Sequence, residues 1–210
     1  MKMSGGAPWD PLSASFFRRP AEELAAGLLG RYLVRETEGR RRAVRIVETE
    51  AYLGARDRAS HAWNGRRTRR NASLYLLPGH AYVYFIYGLH HCVNVVTGDL
   101  AETGGAVLIR AGEPIAGEEE MLAYRGLQHP TRPGQIAGGP ARLCQALSID
   151  RQLDGVALTP PDLYLTEGEP VPARAIACGS RIGVAYAQEA AHWPLRFAER
   201  DNPHVSRPRL

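Results

Sequence analysis

The segment RIVETEAYLG, residues 45–54, predicts a β-strand that carries two carboxylates on one face. Its β-branched, aromatic and aliphatic residues favour a pleated, half-buried strand. Because strand side chains alternate between faces, we expect Glu48, Glu50 and Tyr52 to project together and Val47 to point the other way with Thr49. A carboxylate beside an aromatic ring on a rigid strand suits a general base. A solvated strand face or a structural ion pair is the alternative, and it is the commoner role of a strand glutamate.

The elements on both sides of this strand predict a single mixed α/β domain. We expect a curved, largely antiparallel sheet, flanked by helices and carrying a protruding β-hairpin within residues 80–96. A helix is predicted before the sheet, from Pro20 to about Gly30, and another from about Ile115 to Tyr124. The expected domain organisation is a flexible N-terminus at 1–11, one domain at 12–205 and a tail at 206–210.

Composition indicates a globular protein of one domain. The chain has 210 residues, 44% of them hydrophobic and 23% charged, which is enough for a core and argues against disorder. No apolar stretch approaches the roughly 20 residues of a membrane-spanning helix, and residues 1–10 lack the apolar centre of an export signal. The three cysteines are widely spaced and match no CxxC pair, so they are expected to be reduced thiols. These features predict a cytoplasmic protein.

Basic charge is concentrated in one polar segment that follows the strand. The net charge is +4, and residues 56–70 contain six arginines against a single acid, Asp57. Such a block indicates a contact surface for phosphate groups, although a solvated arginine loop would have the same composition.

Tyrosines are unusually dense in the predicted hairpin. Tyr82, Tyr84 and Tyr87 fall within six residues, with Tyr87 beside Gly88 at the expected tip. An aromatic ring at such a tip could insert between stacked bases, and the other two could stack on a nucleobase. Ordinary packing of the hairpin is the alternative. No standard metal-binding or Gly-rich phosphate-binding motif is present, so no metal or cofactor is predicted.

Several ordered segments together resemble one known family. The chain is similar to the alkyladenine (3-methyladenine) DNA glycosylases, and it resembles a bacterial member, over nearly its whole length from Leu12 to Val205. The segments that carry the resemblance are FFRRPAEELAAGLLGRYLVR (16–35), RIVETEAYLG (45–54), GRRTRRN (65–71), PGHAYVYFIYGLHHCVNVV (78–96), AVLIRAGEP (106–114), GGPARLCQAL (138–147) and RIGVAYA with PLRF (181–197).

The resemblance implies an enzyme that removes damaged purines, such as 3-methyladenine, hypoxanthine or ethenoadenine, by cutting the N-glycosidic bond. Glu50 matches the glutamate that activates a water to attack the sugar, and Arg110 matches the arginine that helps to hold that glutamate and water. A carboxylate suits this reaction because the sugar becomes oxocarbenium-like as the base leaves. The base pocket is expected to consist of Tyr52, His61, Tyr84 and Asn94, with Asn94 disfavouring the exocyclic amine of guanine.

The resemblance also implies contacts with duplex DNA. Tyr87 matches the residue that enters the minor groove and fills the space left by the flipped base. The expected contacts with the DNA backbone and groove come from Arg66, Thr68, Arg69, Leu89 and His90. Two of these depart from the mammalian members of the family, in which methionine and an aromatic residue are familiar at the positions of Leu89 and His90.

The lysine content bears on the type of reaction. Glycosylases that also cut the strand commonly form a Schiff base through an amine, and the only lysine is Lys2. We therefore expect a monofunctional reaction that uses water and leaves an abasic site for downstream enzymes. The protein is also expected to be a monomer. The alternatives are a non-catalytic protein that binds damaged DNA, and a metal-dependent nuclease that uses Glu48, Glu50, Asp57 and His61.

Overall fold

Eight strands and three α-helices are found in the described part of the computed structural model, residues 9–86, 88–98, 104–130 and 132–210. In chain order they are α1 (Ala21–Leu28), β1 (Tyr32–Thr37), β2 (Arg40–Leu53), β3 (Ala81–Ile86), β4 (His90–Thr97), β5 (Gly105–Ala116), α2 (Glu118–Arg125), α3 (Pro140–Ala146), β6 (Leu163–Thr166), β7 (Ile176–Gly179) and β8 (Arg196–Glu199). No helix in these ranges has the length and apolar composition needed to span a bilayer.

The strands form one curled antiparallel sheet with β2 at its centre. The order is β3-β4-β5-β2-β1-β6, and β8 joins β2 to β7. One side of β2 pairs with β5 along its length. The other side pairs first with β1 and then, at Glu48–Glu50, with β8. The carboxylates of β2 are therefore covered by strands on both sides, and the predicted mixed α/β fold with a curved antiparallel sheet is confirmed.

A β-bulge at Val47 changes which residues of β2 share a face. The register with β5 shifts between Ile46 and Glu48, and Val47 packs with Ala111 and Ala198 rather than with the main core. The prediction that Val47 points away from Glu48 is wrong, because the extra residue of the bulge breaks the strict alternation.

Helix α1 covers the other face of the central strand. Its buried residues Leu24 and Leu28 pack against Ile46 and Ala51 in the main hydrophobic core. Each fully buried leucine of this kind contributes about 1.5–3 kcal/mol. Thr49 Oγ1 donates a buried 2.8 Å hydrogen bond to the carbonyl of Ala25, which fixes the strand against the helix.

The β3–β4 hairpin agrees with the prediction, whereas the helix predicted from Ile115 begins later. In the hairpin, Ile86 pairs with His90 across the turn. After β5 the strand continues to Ala116, and α2 starts only at Glu118. Gly117 separates the two elements with a φ of +70°, a conformation that favours glycine.

The Arg-rich segment contains short 3₁₀ helices, and the chain near the N-terminus contacts the sheet. Residues 54–78 contain three short 3₁₀ helices at Gly54–Arg56, Trp63–Gly65 and Ala72–Tyr75. Near the N-terminus, Pro11 forms a bridge with Thr166 of β6. Residues 1–8 of the predicted flexible N-terminus lie outside the described residues.

Candidate active site

Glu50 is fully buried on β2, where two hydrogen-bond donors and one arginine of the described residues contact its carboxylate. The Tyr52 hydroxyl donates to Oε2 at 2.8 Å, and the backbone N–H of Ile182 donates to Oε1 at 2.8 Å. Arg110 Nη1 lies 3.1 Å from the same Oε1. The shared face of Glu50 and Tyr52 expected from strand alternation is therefore observed, with a direct bond between the two side chains.

Glu48 is the second buried carboxylate, and it holds two arginines and the end of the chain. Its Oε1 accepts from Arg110 Nε at 3.0 Å and from Arg196 Nε at 2.7 Å. Ser206 donates to the same carboxylate through its backbone N–H at 2.7 Å and its hydroxyl at 2.9 Å. Arg110 thus bridges Glu48 and Glu50. Burial lowers the pKa of Arg110, but the two carboxylates outweigh burial, so the net shift is upward and the guanidinium stays charged.

The buried ion pair of Arg181 and Asp57 packs against the ring of Tyr52. The guanidinium carbon of Arg181 lies 4.7 Å from the centre of this ring. Arg181 Nη2 donates to Asp57 Oδ1 at 2.9 Å, and Nη1 donates to the carbonyl of Ala51 at 2.9 Å. Asp57, the single acid of the Arg-rich block, is fully buried in this pair and is not part of a solvated surface.

The hairpin tyrosines and His61 form an aromatic wall. The rings of Tyr82 and Tyr84 stack with centroids 5.3 Å apart, and His61 meets the Tyr84 ring edge-on at 4.7 Å. His61 Nδ1 and the Tyr82 hydroxyl are 2.7 Å apart and hydrogen-bonded. Opposite on β4, Asn94 donates through Nδ2 to the carbonyl of Tyr82 at 3.0 Å.

These groups line one cavity of about 430 Å³, a size suited to a small organic ligand. All four predicted pocket residues and Arg110 are in its wall. Glu50 lies directly behind that wall, bonded to Tyr52 and Arg110. The lining residues are Tyr52, Ala59, Ser60, His61, Arg70, Leu74, Tyr82, Tyr84, Ile86, Cys92, Asn94, Ala106, Leu108, Arg110, Pro140, Ile182, Gly183, Val184 and Tyr186.

The shifted pKa values in the cavity keep the side chains of Tyr52 and His61 neutral. Burial raises the pKa of Tyr52 well above its usual value, and Glu50 raises it further, so the hydroxyl remains a donor to that carboxylate. His61 is exposed at its outer edge, but the burial of its inner part lowers its pKa, and Arg70 and Arg66 add to the effect. The imidazole is therefore neutral near pH 7.

The Arg-rich segment is ordered by Asn71 and presents its arginines to solvent. Thr68 donates to Asn71 Oδ1 through its backbone N–H at 2.7 Å and its hydroxyl at 2.9 Å. Asn71 Nδ2 donates to the carbonyl of Arg66 at 2.8 Å. Arg66 and Arg69, both predicted to contact DNA, are exposed.

The described residues of the hairpin tip are exposed to solvent. Leu89 has 72% of its surface accessible, and His90 is also exposed. Gly88 has a φ of +65°, which allows the tight turn. Tyr87, the predicted intercalating residue, lies outside the described residues.

Glu48, Glu50, Asp57 and His61, the four residues of the metal hypothesis, do not form one site. Glu48 and Glu50 are bonded to arginines, Asp57 pairs with Arg181, and His61 bonds to Tyr82 instead of sharing a site with Asp57. In the described residues, no group of three or more His, Cys, Asp or Glu could hold a metal ion.

Sequence reasoning missed three residues of the site. Arg181 and Arg196 lie in segments that carried the resemblance, but their acidic partners are more than 120 residues away in sequence. Ser206 was assigned to a tail, yet it is buried against Glu48. The available signal was the presence of two acids within an apolar strand, because a buried acid requires a cationic partner.

Comparison with known proteins points to one family. A family model described as methylpurine-DNA glycosylase matches residues 15–203. A protein of Methanocella arvoryzae is 47% identical over 200 residues, covering 93% of this chain and 96% of its own. Similar relatives come from Desulfitobacterium hafniense, 43% identical with 93% and 98% covered, and Myxococcus xanthus, 46% identical with 93% of both chains covered. Each carries the provisional name 3-methyladenine DNA glycosylase.

Proposed function

This chain belongs to the methylpurine-DNA glycosylase family, and we propose that it flips damaged purines out of duplex DNA and hydrolyses their N-glycosidic bond with a water activated by Glu50. Family membership makes the protein a DNA-binding hydrolase of base excision repair. The choice of lesions, the flipping step and the residue roles are our proposal.

The environment of Glu50 carries the proposal. A carboxylate offers about four acceptor positions. In the described residues, Ile182 donates to Oε1, Arg110 is ion-paired with the same oxygen, and Tyr52 donates to Oε2. The remaining position on Oε2 is suited to a water held at the cavity wall. When that water attacks C1′, its proton passes to Glu50 while the C1′–N bond breaks and the base leaves with the bonding electrons. The nearby carboxylate charge also stabilises the cationic sugar.

The aromatic wall supports recognition of a purine. Stacking on Tyr52, Tyr84 and His61 would return about 1–3 kcal/mol per base, which offsets part of the few kcal/mol needed to unstack it. A cationic base such as 3-methyladenine gains additional attraction to the tyrosine faces. His61 is neutral near pH 7 because its pKa is lowered, so it does not repel such a cation.

The reaction proposed here is monofunctional. No lysine occurs in the described residues, and the single lysine of the chain is Lys2. Water is therefore the proposed nucleophile, and the product is a free base with an intact abasic strand, which downstream enzymes process. The protein is proposed to act as a monomer without a metal or an organic cofactor.

The remaining predicted roles concern binding of the duplex. We assign Arg66, Thr68 and Arg69 to the DNA backbone, since this segment is exposed, basic and next to the cavity. Leu89 and His90 are assigned to the groove. Tyr87 is assigned to the gap left by the flipped base.

Duplexes that each carry one lesion test this function. The protein is incubated with duplexes containing 3-methyladenine, hypoxanthine or ethenoadenine, and hot alkali then cleaves the strand at any abasic site. We expect release of at least one of these bases, with no strand cleavage before the alkali step. The proposal is overturned if none of the three bases is released, or if the strand is cut without prior base loss.

Asn94 provides a prediction about specificity. Its side chain is 3% exposed, lines the cavity and is fixed through Nδ2 by the Tyr82 carbonyl. Asn94→Ala opens space for the exocyclic amine, so we expect release of guanine-type bases to rise roughly tenfold relative to hypoxanthine, as is typical for one discriminating contact. Single-turnover rates on matched duplexes measure the ratio. An unchanged ratio, equal to that of the control Asn202→Ala, which does not line the cavity, would remove Asn94 from the specificity determinants.

A further inference from the structure

The β3–β4 hairpin separates two different surfaces. One face carries Tyr82 and Tyr84 and lines the base cavity. On the other face, near the tip, Phe85 pairs with His91 across the two strands, and their rings lie 5.0 Å apart. Phe85 is 40% exposed although it is a large apolar residue.

A basic groove of about 950 Å³ lies along this second face. The described residues that line it are Arg69, Arg70, Phe85, Gly88, His91 and Arg151. Three of these are arginines and His91 is a fourth basic residue. Asp154 pairs with Arg151 beside the groove and offsets one of these charges, so the groove keeps a net positive charge and is complementary to a phosphate backbone. It reaches the hairpin tip at Gly88.

Two of the arginines are fixed by the free edge of β3. Arg151 Nη1 donates to the carbonyl of Val83 at 3.0 Å, and Arg70 Nη2 donates to the carbonyl of Phe85 at 2.8 Å. These bonds satisfy carbonyls of an edge strand that would otherwise be open. They also hold both guanidinium groups beside the hairpin. Arg151 Nη2 lies 3.3 Å from Asp154 Oδ2, and 44% of the Arg151 side chain is exposed to a ligand.

A hairpin whose tip enters the minor groove has one DNA strand on each side. The nucleotide flipped into the cavity remains bonded to the lesion strand, so that strand lies on the face of Tyr82 and Tyr84. The complementary strand then lies on the opposite face. Arg70 lines both the base cavity and the groove and lies at the boundary between them. We propose that the groove of Arg151, Phe85 and His91 binds the sugar–phosphate backbone of the undamaged complementary strand. This inference rests on the proposed flipping function.

The groove would therefore make the enzyme selective for duplex over single-stranded DNA. The arginines supply charge to the phosphates, and the Phe85–His91 pair supplies an apolar surface for the sugars. Single-stranded DNA with the same lesion can fill the cavity but has no strand to place in the groove.

The test compares Arg151→Gln with the unchanged protein on a duplex and on a single strand, each carrying one hypoxanthine. Binding is followed by fluorescence anisotropy over a range of salt concentrations. For the duplex we expect roughly tenfold weaker binding. The slope of log K against log salt is negative, and its magnitude should fall by about 0.9, the value for one lost phosphate contact. For the single strand we expect affinity and slope to remain unchanged. Gln removes the charge together with the pairing to Asp154, and Arg151→Lys, which keeps the charge, should restore the slope.

Arg174→Gln is the matched control, since Arg174 is exposed next to β7, away from β3 in the sheet order. Equal losses on the duplex and the single strand would overturn the inference, because the groove would then hold the lesion strand. No loss on either DNA would also overturn it. A protein that binds as expected but releases no base would instead contradict the proposed function, so the two failures are distinguishable.

Discussion

Replacing Glu50 by Gln is expected to slow base release by about 10²–10⁴-fold, the usual contribution of a general base. Glutamine has nearly the same shape and can still accept from Ile182, but it cannot take the proton of the attacking water. It also removes the negative charge that stabilises the oxocarbenium-like sugar. The measurement is the single-turnover rate of hypoxanthine release at saturating protein.

Binding of the lesion duplex should be retained in Glu50→Gln, because the cavity walls and the basic surfaces are unchanged. Glu199→Gln is a suitable control, since Glu199 lies on β8 and pairs with Arg45 rather than with a cavity residue. A variant with nearly full activity would remove Glu50 from the mechanism. A control as inactive as Glu50→Gln would mean that any loss of an ion pair in this sheet disables the enzyme.

Replacing Arg110 by Met is expected to impair both stability and activity. The side chain bridges Glu48 and Glu50, both of which are fully buried. Removing one partner of a buried ionic group costs about 3–5 kcal/mol, because a charge is left uncompensated. In a domain of this size, that corresponds to a decrease in Tm of roughly 6–20 °C, measured by thermal unfolding. Base release should also fall because Glu50 loses the guanidinium that orients it.

The double variant Arg110→Met with Glu48→Gln separates these two effects. Glu48→Gln removes one of the buried negative charges, so the double variant should regain part of the stability lost in Arg110→Met. Base release should not recover, since the contact between Arg110 and Glu50 is still absent. Recovery of activity together with stability would show that Arg110 serves folding alone. Equal stability of the single and double variants would contradict the charge argument.

Much of the fold follows from patterns that are local in sequence. The alternation in residues 45–54 predicts the strand and the shared face of Glu50 and Tyr52. The turn residues near Gly88 predict the hairpin, and its two-residue period places Tyr82 and Tyr84 together. The bulge at Val47 could not be predicted, because it depends on how β5 and β8 pair with the central strand.

The candidate site was predicted in part, and only through the likeness of ordered motifs. Tyr52, His61, Tyr84, Asn94 and Arg110 line one cavity, while their roles in base binding and catalysis stay predictions. The residue types alone left Glu48 and Glu50 equivalent. Tertiary contacts distinguish them, since Glu48 bonds to two arginines and Ser206, whereas Glu50 bonds to Tyr52 and Ile182 of the cavity wall.

The sequence by itself therefore determined the central strand, the hairpin, the basic segment and the family. Only the tertiary structure decided the partners of the buried charges. Glu48 bonds to residues 62, 148 and 158 positions further along the chain. Local propensity is insensitive to such separations, because strand register, a bulge and the packing of the chain end together set which groups meet. A buried carboxylate requires a cation or donor nearby, but the folded chain alone determines which residue provides it.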